Sequence, residues 1–143
     1  HSDFRRVLVA VDGSPNAARA ARVAITLAEK YEAELYVLHV IPQPPYILTP
    51  DSLKDYYRDT KKTAETWVDE VVSLGNSQGL KVNGMILEHA PSVVQSISDY
   101  AAKNEVDLVV VGTRGLSGFK KLLIGSTSAG TVSHAPCNVL VVR

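Results

Sequence analysis

The chain has 143 residues, inside the usual single-domain range, and can bury a sizeable core, so one domain suffices. Its 15 basic residues balance 15 acidic ones, which leaves no global field for nucleic acid or an anionic membrane; any phosphate recognition must be local. No apolar run approaches the roughly 18 positions of a membrane helix and no charged-then-apolar leader opens the chain, so a soluble, cytoplasmic protein is expected. Cys137 is the only cysteine, which excludes an internal disulfide and suits a reducing compartment. His1-Ser2 reads as an appended remnant, and the domain is taken as residues 3–143.

Val7-Leu8-Val9-Ala10-Val11 is a short continuous apolar run, as in a strand covered on both faces, and it ends at Asp12. Asp12-Gly13-Ser14-Pro15 supplies a turn, a serine N-cap and a proline at the first helical position. The helix that follows should bury Ala18, Ala21, Ile25 and Ala28 and turn Arg19, Arg22, Thr26, Glu29 and Lys30 to water. A second strand spans Leu35 to Val40. The segment Ile41 to Pro50, with four of the seven prolines, reads as an ordered flap rather than a domain linker.

Apolar positions at Leu53, Tyr57, Thr60, Ala64, Trp67 or Val68, and Val71 describe a long amphipathic helix from Asp51, with Gly75 and Gly79 marking its stop. A third strand is expected from Val82 to Glu88. Pro91 then opens a helix through Val93, Val94, Ile97 and Ala101 that ends near Lys103-Asn104, where a cation and a residue tolerant of left-handed backbone suit a C-terminus. The fourth strand is Leu108-Val109-Val110-Val111. It runs into Gly112-Thr113-Arg114-Gly115, nine further residues, and Gly125-Ser126, which opens a helix to His134; Ala135-Pro136 breaks the chain before a fifth strand, Val139 to Val142.

The glycine-rich stretch reads as a phosphate-binding loop: glycine lets backbone N–H groups approach an anion, and a Gly-Ser pair at a helix start adds unpaired donors and the positive end of the dipole. It is neither of two familiar nucleotide loops. Counting for Gly-x-x-x-x-Gly-Lys-Ser/Thr from Gly112 or Gly115 puts Ser117 or Lys120 where glycine is needed, and Gly112, Gly115 and Gly118 fall every third residue, late in the chain. A plain turn between strand and helix is the bland alternative.

Strict alternation of strands and helices implies an α/β fold, a single open, doubly wound, five-stranded parallel sheet with helices on both faces. Of the two common orders, 3-2-1-4-5 and 2-1-3-4-5, the first makes strands one and four neighbours. Asp12 and Gly112 then share one crevice at the carboxyl ends of the strands, where such sheets bind ligands.

Gly112-x-x-Gly115, nine residues, Gly125-Ser126, together with Val11-Asp12-Gly13-Ser14 and the Pro-Cys…Val-Leu-Val-Val-Arg ending, resembles the universal stress protein family in its ATP-binding branch, over essentially the whole chain. The resemblance implies ATP as ligand, with Mg²⁺ admitted as a companion ion. It implies that the Val40 backbone meets the adenine edge, that Asp12 lies at the ribose, and that Ala10 and Val111 wall the base. Gly112 and Gly115 would line ribose and phosphates, and Gly125, Ser126 and Thr127 would cap the terminal phosphates, with Arg114 and Ser128 as further contributors. It also implies a homodimer in which two copies pair their last strands, Val139, Leu140, Val141 and Val142, about a two-fold axis; a covering loop is the alternative. The chain departs from the family at Glu88-His89-Ala90-Pro91, where many members have glycine before the proline, and at Asn138, where many have a second proline.

Other candidates have ordinary explanations beside the functional ones. His89 could sit at the crevice mouth or on a solvated loop, His39 suits a sheet residue, and His134 suits a C-terminal cap. Lys120 and Lys121 could neutralise phosphate or simply solvate a loop, and Tyr46, Tyr56 and Tyr57 could cover a nucleotide or pack. Cys137 reads as a small hydrophobe rather than a reactive thiol. There is no zinc spacing, no Gly-x-Ser-x-Gly elbow and no evident base. Three readings compete: a regulatory module whose ATP occupancy changes its output, a slow ATPase or phosphotransfer enzyme, and a dimeric interaction protein with an empty crevice. The intact glycine motif disfavours the third, and the missing base disfavours fast catalysis.

Overall fold

A computed structural model of the chain describes residues 4–113 and 125–143. The elements run β1 (Arg6–Ala10), α1 (Pro15–Tyr31), β2 (Glu34–Pro42), α2 (Pro50–Ser77), β3 (Val82–Ala90), α3 (Val93–Lys103), β4 (Leu108–Gly112), α4 (Ser126–His134) and β5 (Asn138–Val142). The strands form one sheet in the order β3-β2-β1-β4-β5, the first of the two common orders, with all pairs parallel as the alternation implies. Apolar side chains leave its two faces into two clusters. Val7, Val9, Val37 and Val110 meet Ala20, Ala24, Ile25 and Ala28 of α1 and Val68 of α2 on one face. Leu8, Leu38, Val40, Val109 and Val111 meet Ile97 and Ala101 of α3 on the other. Both faces of β1 and β4 are thus covered, which is why these strands read as continuous apolar runs.

Several boundaries and faces differ from the sequence-based expectation. Ala18 is exposed; α1 buries Ala17, Ala20, Ala21, Ala24, Ile25 and Ala28. β2 extends past Val40 through the buried Ile41 to Pro42, so the proline-rich connection begins at residue 43, and Pro50 starts α2 behind a Thr49 cap. Gly75 does not stop α2. It is buried inside the helix, where a Cβ would lie 2.7 Å from Val82 Cγ2, so it admits β3 to close packing, and the left-handed residue beyond the helix is Gly79 (φ +81°). After α3 the left-handed residue is Glu105 (φ 53°), not Asn104. No helix among the described residues is long and apolar enough to cross a membrane.

Candidate functional site

β1 and β4 are neighbours, and their carboxyl ends open on a cavity of about 420 Å³. β1 and the turn after it contribute Ala10, Val11, Asp12 and Ser14; β2 contributes Leu38, His39, Val40 and Pro42; β4 contributes Val111 and Gly112. Val93 and Ile97, one turn apart on α3, wall one side, and Gly125, Ser126, Thr127 and Ser128 open α4 onto it. Ten of the residues proposed from sequence therefore line one cavity: Ala10, Asp12, Ser14, Val40, Val111, Gly112, Gly125, Ser126, Thr127 and Ser128. Gly13 does not line it, and Arg114, Gly115, Lys120 and Lys121 lie outside the described residues.

Local chemistry explains how these residues are held. Asp12 Oδ1 accepts the Ser14 N–H at 3.0 Å, closing a turn on its own backbone. Ser14, 1% exposed, spends its hydroxyl oxygen on the Ala17 N–H at 3.1 Å as the cap of α1. Gly13 adopts φ +81°, and a Cβ there would lie 2.4 Å from the Trp67 indole. Gly112 is needed for a reason other than anion approach: a Cβ would sit 2.8 Å from the Asn16 carbonyl carbon and 2.9 Å from its oxygen, so glycine lets β4 end beneath α1. The Asn16 side-chain amide donates to the Thr113 hydroxyl, and the Thr113 carbonyl accepts the Gly125 N–H. Ser128, buried, donates to the Gly112 carbonyl and ties α4 to β4.

The four helix starts are not alike. α1, α2 and α3 are capped by the side chains of Ser14, Thr49 and Ser92, each accepting a first-turn N–H. α4 begins at Gly125, which has no side chain to offer, and its first turn lines the cavity. The apolar wall of Ala10, Val40, Val111, Val93 and Ile97, that helix end, and the carboxylate of Asp12, the one acidic side chain among the described lining residues, all line this cavity. A flat apolar ring, a hydroxyl-bearing sugar and an anion would each find a complementary surface there.

Sequence reasoning missed Val11, Ala17, Leu38, Pro42, Val93 and Ile97 as lining residues, and placed His39 only in the sheet. The spacing of Val93 and Ile97 gives a buried helix face but not which cavity that face adjoins. A second crevice of about 340 Å³ shares Asp12, His39 and Pro42 with the first and is bounded by Tyr56, Asp59, Thr60, Thr63 and Trp67 of α2. Tyr57 is buried and its ring meets that of exposed His89 at a tilt of 42°, with centroids 3.9 Å apart; neither lines the candidate cavity. His134 Nδ1 lies 2.8 Å from the Gly130 carbonyl, a local cap of α4. Burial, with Asp107 nearby, pushes the Cys137 thiol up, away from the reactive thiolate, against an opposing backbone hydrogen bond from Val109.

The model of the universal stress protein family matches residues 3–143, and the chain belongs to that family. It is similar to universal stress protein YxiE of Bacillus subtilis, 32% identical over 153 residues covering 98% of this chain and 99% of that one. Among solved structures it is similar to universal stress protein UspA from Lactobacillus plantarum (TM-score 0.89, 28% identity, 100% of both chains). The universal stress protein from Archaeoglobus fulgidus in complex with dAMP shares the fold (TM-score 0.70, 22% identity, 98% of both chains).

Proposed function

We propose that this chain binds ATP or a related adenine nucleotide in the cavity between β1 and β4 and acts as a nucleotide-dependent regulatory module of the stress response, with slow or no hydrolysis. The observation that carries this reading is α4: the one described helix without a side-chain cap opens its first turn, whose N–H groups no described side chain caps, onto the same cavity that holds Asp12. The base would lie against Ala10, Val111 and the Val40 backbone, and the ribose hydroxyls would donate to Asp12. Gly112, Gly125, Ser126, Thr127 and Ser128 would surround the phosphates, joined by Arg114 and Gly115 from outside the described residues. The fold relative that holds dAMP supports the adenine class. Among the described residues no three His, Cys, Asp or Glu side chains cluster as a metal site.

The module is proposed to be a cytoplasmic homodimer joined at β5. Slow turnover is expected because Asp12, which this reading assigns to the ribose, is the one acidic residue among the described lining residues. A steady-state phosphate-release assay should give a rate far below the roughly 1 to 100 s⁻¹ of kinases. Robust multiple turnover that disappears in Ser126→Ala would place the protein among the enzymes instead.

A further inference from the structure

We propose that His39 is a positioning residue for the nucleotide site: it holds the Val11 carbonyl and thereby sets the Asp12 carboxylate that the foregoing reading, on which this inference rests, assigns to the ribose. The regular pairing of β1 with β2 ends at Ala10 opposite Leu38. One residue on, the Val11 N–H still donates to the Leu38 carbonyl at 2.9 Å, and the Val11 carbonyl is met by His39 Nδ1 at 2.6 Å. A carbonyl can only accept, so Nδ1 carries the proton, and in the neutral ring Nε2 is left as an acceptor. The side chain of His39 thus extends the ladder by one bond beyond the strand. It fixes the plane of the Val11–Asp12 peptide, from which the Asp12 side chain departs.

Trp67 keeps the imidazole in place. Its ring lies edge-on to His39, with centroids 5.3 Å apart and planes at 73°, and the same indole packs on the bare α-carbon of Gly13. Asp12 is therefore flanked by two anchored neighbours, and its own Oδ1 is occupied by the Ser14 N–H. Among the described residues Oδ2 has no hydrogen-bond partner, which leaves one carboxylate oxygen for a ligand hydroxyl. A substitution that frees the Val11 carbonyl should loosen this oxygen without touching the apolar wall or the start of α4.

The test compares ATP with 2′,3′-dideoxy-ATP by calorimetric titration of the native protein, His39→Asn and His39→Gln. An asparagine amide nitrogen falls near the place of Nδ1 and a glutamine amide nitrogen near that of Nε2, so only the first restores the donor. Native protein should prefer ATP by about tenfold, one charge-assisted hydrogen bond. His39→Asn should keep that preference, whereas His39→Gln should lose about tenfold in ATP affinity and bring the ratio near one. A His39→Gln protein with the native ratio, equal weakening of both nucleotides, failure of His39→Asn to restore the preference, or a native ratio of one overturns the inference while leaving nucleotide binding in place. Native protein that binds neither nucleotide overturns the nucleotide reading and this inference with it. Independently of ligand, long-range ¹H–¹⁵N spectra should show His39 protonated on Nδ1; a neutral ring protonated on Nε2 contradicts the proposed bond.

Discussion

Gly13 and Gly79 share the same positive φ, +81°, but have opposite surroundings. At Gly79 a Cβ would meet nothing within 4 Å, whereas at Gly13 it would run into the Trp67 ring. Gly79→Ala should therefore cost only the left-handed strain, about 1 kcal/mol, while Gly13→Ala adds overpacking and should lose about 2 to 4 kcal/mol in urea unfolding. Equal losses would show that Trp67 does not bear on Gly13. Asp12 stands out as the polar residue ending an apolar strand. The reason for Gly112 does not, because the atom that excludes a side chain there belongs to Asn16, 96 positions earlier in the chain and placed by tertiary packing. His39 likewise reads as an ordinary strand position until Val11 and Trp67 are brought to its two sides.

The alternation of elements and the limits of α4 follow from the pattern of apolar runs and breakers, and Ser126–His134 coincides with the expected helix, but that pattern alone admits two strand orders. The buried face of α1 was shifted because Ala17, Ala18, Ala20, Ala21 and Ala24 leave the periodicity with little contrast. Gly75 reads as a stop in the sequence because a glycine that admits a neighbouring strand looks like a glycine that ends a helix. The missing cap of α4 gives a prediction with two opposite signs. Gly125 has φ −61° and ψ 159°, which any residue can adopt. In Gly125→Asp the new carboxylate should cap α4 and raise stability by a few tenths of a kcal/mol. The same charge would occupy the N–H groups proposed for phosphate, so ATP affinity should fall at least about tenfold. Unchanged ATP affinity in a folded Gly125→Asp protein would remove α4 from the phosphate site.

Across the whole molecule, the two edges of the sheet are β3 and β5, and each leaves a large apolar side chain exposed, Met85 (42%) on β3 and Leu140 (37%) on β5, where Val132 of the adjoining α4 adds 52%. An apolar edge strand invites pairing with another chain. Val139 and Val141 pack into the core on the α3 face, so a charge at either would damage the fold as well as an interface. Leu140→Lys is the cleaner probe: sedimentation should show a dimer for the native chain at micromolar concentration and a shift toward monomer for the variant, with little change in thermal stability of the isolated chain. A native monomer would remove the dimer and leave the nucleotide site standing. Nucleotide occupancy of the β1–β4 cavity is decided by titration calorimetry of ATP into nucleotide-free native protein. Saturable binding of one ATP per chain, competed by AMP, is the expected result; a flat titration, with no thermal stabilisation at any adenine nucleotide concentration, would show that the cavity is not a nucleotide site.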